Sequence, residues 1–211
     1  MVKVKPSAFA FVSWKVNWLV KLATLTGFVG TLGAAQLAGF GVAVRLEYLL
    51  YPLAFGLGAG VLGMVGTNIG AGNFARAARI AWAASALAAA VTGCIGVFGV
   101  TSPDVWSSLF TDVPQVHVLA AGYLAIVGFA YPFLGLGVTL ASAFQAAGRP
   151  LWPLIGITSR AIVVAAGGWI VVRFGGTGLT GLAVVAASGL IVYGAILTIA
   201  FRARVWQKKI Q

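Results

Sequence analysis

Six apolar stretches, each long enough to cross a bilayer, take up nearly all of the 211 residues. They cover residues 9–35, 39–68, 76–100, 115–145, 150–174 and 179–202. A hydrocarbon core of about 30 Å is crossed by roughly 20 apolar residues in a helix. Inside lipid every backbone amide must be satisfied within the protein, which leaves helices or a closed barrel. Barrel strands alternate apolar and polar side chains residue by residue. These runs do not. With 61% hydrophobic and 8% charged residues, and a mean hydropathy of +1.02, no water-soluble surface can be assembled. The fold class is all-α: a polytopic membrane protein, one six-helix transmembrane bundle over residues 1–211.

A net charge of +11 and a pI near 10.6 would suggest nucleic acid for a soluble domain. The placement of the charges points elsewhere, to a lipid bilayer and no nucleic acid. Lys3, Lys5, Arg76, Arg79, Arg149, Arg202, Arg204, Lys208 and Lys209 all fall on one side of the six spans. The opposite loops carry Arg173 with Asp104 and Asp112. Nine basic residues against one predicts that both termini are cytoplasmic. Cys94 is the single cysteine, so no intramolecular disulfide forms, and in mid-span it reads as a small apolar residue. The first apolar run is too long for a cleavable signal peptide and is interrupted by Lys15 and Lys21. Those lysines either snorkel along the interface beside Trp14 and Trp18 or face a partner.

The longest polar break, residues 101–114, reads as an outer loop, and Gly175 to Gly178 as a tight outer turn. A weak internal repeat is also present. Tyr51-Pro52 in the second span is matched by Tyr131-Pro132 in the fourth, and each span exits through an inner glycine turn, at Gly72 and Gly148. Proline removes one helical hydrogen bond and bends the helix. Helices interrupted at matching places in a repeat point to a transporter's central site. Alternatively, Pro52 and Pro132 only shape packing.

Gly58-Ala59-Gly60-Val61-Leu62-Gly63 matches a dinucleotide fingerprint, but it lies inside a span, follows no strand, and no acid occurs between Glu47 and Asp104 to hold a ribose. Gly56/Gly60 and Gly66/Gly70 are spaced instead for close helix packing. One histidine and three acids offer no catalytic constellation, no metal-ligand spacing and no cofactor site, so the chain does not read as an enzyme. His117, at the start of the fourth span, fits a hydrogen-bonding anchor better than a proton relay.

Glu47 is the one acid inside a span. An intramembrane charge is tolerated facing water, a cavity or a partner. Counting at 1.5 Å per residue, Glu47 lies about 12 Å from the outer end of its span, and Arg160 roughly 14 Å from the inner end of its own. Both therefore sit near the midplane and can meet. Arg45 cannot pair with Glu47 on one helix face, because positions two apart diverge. Two roles for Glu47 stay open: a static bridge to Arg160, or a carboxylate that exchanges protons or binds a cation.

The run from Ala38 through Arg45, Glu47 and Tyr48 leads to Val65-Gly66-Thr67-Asn68-Ile69-Gly70-Ala71-Gly72 and Arg76-Ala77. With Ala143-Phe144-Gln145-Ala146-Ala147-Gly148-Arg149-Pro150, Arg160, and Phe174-Gly175 before Gly178, it resembles the C-terminal lobe of multidrug and toxic compound extrusion (MATE) transporters, over residues 27–201. The resemblance implies a multi-pass protein of the cell membrane, the bacterial inner membrane, exporting small organic cations by antiport with H+ or Na+. It also implies a second lobe, either an N-terminal half or a parallel copy of this chain. Glu47, Arg45, Tyr48, Asn68, Gln145 and Arg160 become candidates for cation coupling or substrate contact, with Pro52 and Pro132 as helix-bending positions. No acid appears in the first or fourth span, where many relatives place one. The alternatives are a lobe of a lipid-linked-precursor flippase of the same superfamily, or an inactive truncated fragment.

Overall fold

The computed structural model describes residues 24–207. It opens with a helical stretch, 24–30 (α1), followed by α2 (Ala34–Gly70), α3 (Phe74–Thr101) and the short α4 (Pro103–Ser107). The fourth span is α5 (Pro114–Val127), a 3-10 turn (Gly128–Ala130) and α6 (Tyr131–Ala146). Then come α7 (Leu151–Ile170), a π-helical turn (Val171–Gly175), and α8 (Gly178–Arg202). Among the described residues there is no strand, and five segments are long and apolar enough to cross a membrane. The chain is an all-α, multi-pass membrane protein.

Most of the expected first span, with Lys15 and Lys21, lies outside the described residues. Its predicted end at residue 35 is corrected. The chain turns at 31–33, through Gly33 at φ 111°, and Ala34 already belongs to α2. Hydropathy does not register that turn, because an apolar run continues through it.

The fourth span is the centre of the bundle. Two thirds of its apolar window is buried, against about a fifth for the fifth span (67% and 22%). Small residues account for this: α6 carries Gly135, Gly137, Thr139, Ser142 and Ala143, which let α2, α3 and α8 close on it. Its hydroxyls are satisfied along the helix, Thr139 donating to the Gly135 carbonyl at 2.8 Å and Ser142 to Val138 at 3.2 Å. The tightest crossing is between α3 and the 3-10 turn. A Cβ on Gly128 would lie 2.8 Å from the Gly96 carbonyl oxygen, so both positions need glycine.

The two prolines behave differently. Pro132 follows a 3-10 turn, in which the Gly128 carbonyl it deprives of an α-helical donor accepts from Tyr131 N–H instead. Pro52 sits within a single unbroken α-helix of 37 residues. Of the two proline-bearing spans only the fourth is interrupted, so the expectation of matched interruptions is corrected.

The glycine pairs do not bring two described helices of this chain together. Among the described residues, Gly56, Gly66 and Gly70 have nothing within 4 Å of a Cβ, and Gly60 meets only the Met64 methyl of its own helix at 3.8 Å. Gly58 is the one that lets α2 approach α6, against Ser142.

The helix ends on one side share a geometry. After α2, Ala71 precedes Gly72 at φ 76°, and after α6, Ala147 precedes Gly148 at φ 68°. After α8, Ala203 precedes Arg204 at φ 54°, the only non-glycine residue in the left-handed region among those described. Left-handed backbone costs a residue with a Cβ about 1 kcal/mol. On the opposite side, His117 bridges Ser107 Oγ and the Thr111 carbonyl, both at 2.7 Å, which is the anchor geometry. Trp106 Nε1 donates to the Val42 carbonyl at 3.0 Å, and Gln36 Oε1 accepts from Leu179 N–H at 2.9 Å at the start of α8.

Candidate functional site

The site is built on α2 and α7. Glu47 and Tyr51 are one turn apart on α2, so their side chains share a face. Both are buried, Glu47 to 1% exposure. Arg160 (7% exposed) reaches them from α7, a helix that packs chiefly on α8. Its Nη2 donates to Glu47 Oε1 at 3.2 Å and its Nη1 to the Tyr51 hydroxyl at 2.9 Å. Tyr51 donates in turn to Glu47 Oε1 at 3.5 Å, which closes a triangle.

Two glycines make room for this arrangement. The Arg160 stem passes beside Gly189 of α8, where a Cβ would lie 3.2 Å from its Cγ. The Tyr193 ring lies between α6 and α7, and a Cβ on Gly156 would fall 3.2 Å from it. Tyr123 and Tyr131 are also buried, within electrostatic reach of Glu47. Their hydroxyls, and Arg160 Nε, have no hydrogen-bond partner among the described residues. Such donors cost about 1–3 kcal/mol each when left unmade. The interior around Glu47 is therefore a polar locus inside an apolar bundle.

The remaining candidates lie elsewhere. Arg45 is exposed, with its guanidinium 4.6 Å from the centroid of the Phe110 ring in the loop after α4. Tyr48 is half-buried beside Glu47 on α2. Asn68 bonds back to the Met64 carbonyl at 2.8 Å, and by helical rise it is about 31 Å from Glu47 along α2. Gln145 is exposed in the last turn of α6, and Pro52 is exposed. Arg45, Asn68 and Gln145 are thus not part of the Glu47 cluster. A depth count separates Asn68 from it but not Arg45, since helix rotation decides which way the Arg45 side chain points. Sequence reasoning singled out Tyr51 only as half of a repeat. Its position four residues after Glu47 was the available signal. Tyr131 entered only as the other half of that repeat, and Tyr123 and Gly189 carried no signal, because only packing brings them here. Among the described residues no group of His, Cys, Asp and Glu could hold a metal.

The MatE family model matches residues 10–170. This chain belongs to the MatE family. Similar to this MatE chain is the Uncharacterized transporter C4B3.13 of Schizosaccharomyces pombe, 33% identical over 110 residues, which cover 52% of this chain and 20% of that protein. The Probable multidrug resistance protein NorM of Thermotoga maritima is 24% identical over 181 residues, 84% of this chain and 38% of that one. The structure described as MATE transporter ClbM in complex with Rb+ shares the fold at a TM-score of 0.84 and 23% identity, covering 94% of this chain and 47% of that chain. The MatE chain therefore matches less than half the length of each. Its family is one of transporters rather than enzymes.

Proposed function

We propose that this chain is one lobe of a multidrug efflux antiporter, exporting small organic cations against inward flow of H+ or Na+ across a bacterial inner membrane, with both termini cytoplasmic. The observation that carries the reading is the buried Glu47–Tyr51–Arg160 triangle within a MatE fold. Protonating Glu47 would leave the Arg160 charge buried without its counter-charge, at a cost of several kcal/mol. Proton binding is then linked to movement of α7 relative to α2, and coupling requires such a pair of states with different proton affinity. H+ suits this site better than Na+, because Arg160 Nη2 already holds Oε1 and repels a second cation.

The second lobe has a candidate seat. Leu49, Leu53, Gly60 and Met64 recur at helical spacing along α2, and all are exposed. Small residues in such a stripe let a neighbouring helix approach closely. The partner is an N-terminal half or a parallel copy of this chain. In liposomes carrying a pH gradient, a fluorescent organic cation should accumulate only where cross-linking detects a lobe–lobe complex. Transport by a verified monomer would refute the reading.

A second reading is that the pair merely clamps α7 to α2, and the closed hydrogen-bond triangle favours it. The two part on flux in a variant that folds without the charges. A clamp predicts normal flux there, and a coupling site predicts none.

A further inference from the structure

We propose that the arginine-lined cavity between the start of α3 and the end of α8 binds the phosphate headgroup of an anionic membrane lipid, a function separate from transport. The cavity has a volume of about 770 Å³ and is lined by Arg79 of α3 and by Arg202 and Arg204 at the end of α8. Its wall is aromatic. Phe201 and Trp206 stack with centroids 5.1 Å apart at 6°, and Trp82 meets Phe201 edge-on at 5.5 Å.

Three arginines line this one cavity, and the chain has almost no counter-charge to offer them. Of its three acids, Glu47 is held by Arg160, while Asp104 in α4 and Asp112 in the loop after it lie at the opposite end of the spans. No acidic side chain is placed at this end of the bundle to neutralise them. A backbone donor adds to the attraction. Asn73 supplies no side-chain cap to α3; Phe74 N–H donates to the Gly72 carbonyl at 3.0 Å, so of the two residues of that helix start that line the cavity it is Ala75 that keeps its N–H for a ligand. Uncapped N–H groups at a helix start favour phosphate, and guanidinium forks match its oxygens.

Arg204 supplies a further, independent sign. Two sister turns place glycine at the left-handed position, Gly72 and Gly148, whereas this one places an arginine there. The backbone strain is accepted and the side chain lines the cavity. The site also lies where two spans end, at headgroup depth, with tryptophans of the kind that populate membrane interfaces. Ile199, one turn inward from Arg202 on the same face of α8, is exposed and gives acyl chains an apolar track. A free phosphate would use the arginines but not that track, so the lipid is the occupant we assign.

The test is a thermal-unfolding titration of the purified chain in neutral detergent, with phosphatidylglycerol, phosphatidylcholine and inorganic phosphate as separate additions. Phosphatidylglycerol should raise the unfolding temperature and the other two should not. Arg79→Gln and Arg202→Gln should each weaken the apparent phosphatidylglycerol affinity about fivefold. Arg204→Gly should weaken it similarly while unfolding no earlier than wild type without lipid, since glycine fits the left-handed backbone. Arg76→Gln, an exposed arginine at the same end but outside the cavity, should leave the response intact. Equal weakening by Arg76→Gln would reduce the effect to diffuse charge and overturn the site. So would an unchanged response in Arg204→Gly, or equal stabilisation by phosphatidylcholine. Stabilisation by inorganic phosphate alone would overturn the lipid as occupant.

Discussion

Arg160 Nη2 lies 3.2 Å from Glu47 Oε1 across 113 residues of sequence, joining a helix that packs mainly on α8 to the long second helix. Both groups are nearly inaccessible, so the pair is an energetic commitment: removing either partner strands the other.

Glu47→Gln alone should therefore destabilise the fold by about 3–5 kcal/mol, because Arg160 is left buried and unpaired. Glu47→Gln combined with Arg160→Gln should recover most of that loss. Folded yield and thermal unfolding in detergent check both. A single variant as stable as wild type would show that Arg160 finds another partner.

Tyr51→Phe removes one hydroxyl that both accepts from Arg160 and donates to Glu47. The expected cost is about 1–3 kcal/mol, below that of Glu47→Gln, because the ion pair itself survives. The same unfolding measurement ranks the two.

The glycines separate into two kinds, and substitution should reveal them. Gly96→Ala pushes a methyl into the Gly128 backbone and should cost about 3 kcal/mol. Gly63→Ala points into open space from a helix interior, and should be neutral or stabilise by up to roughly 1 kcal/mol. Unfolding midpoints of the two variants should move in opposite directions or, at the least, differ clearly.

The positions of the five described spans could be read from the sequence, apart from the turn at 31–33, because hydropathy and length respond to the bilayer alone. So could the shared depth of Glu47 and Arg160, since rise per residue is fixed. Rotation about each helix axis could not be read. It decides that Arg45 turns outward to Phe110, that Tyr51 joins the pair, and that Gly58 rather than Gly56 or Gly60 meets α6. Pro52 and Pro132 looked equivalent as a dipeptide repeat. They differ because Pro132 adjoins the Gly96–Gly128 crossing, where a 3-10 turn fits. Asn68 and Gln145 share a type and a side of the membrane with each other, yet neither shares a depth with Glu47.

Orientation has its own check. With Cys94 replaced by alanine, single cysteines at Asp104 or Thr177 should react with an impermeant thiol reagent applied outside intact cells. Cysteines at Gly72 or Arg149 should not react until the membrane is opened. The reverse pattern would place both termini outside.

The central claim, that proton exchange at Glu47 drives transport, is tested most directly by the charge-free pair. Glu47→Gln/Arg160→Gln should fold, insert and form the lobe–lobe complex as wild type does. The measurement is pH-gradient-driven uptake of a fluorescent organic cation into liposomes holding that complex, normalised to folded protein. The account predicts no gradient-driven uptake by the double variant. Uptake at the wild-type rate would contradict it and leave Glu47 and Arg160 as a clamp between helices.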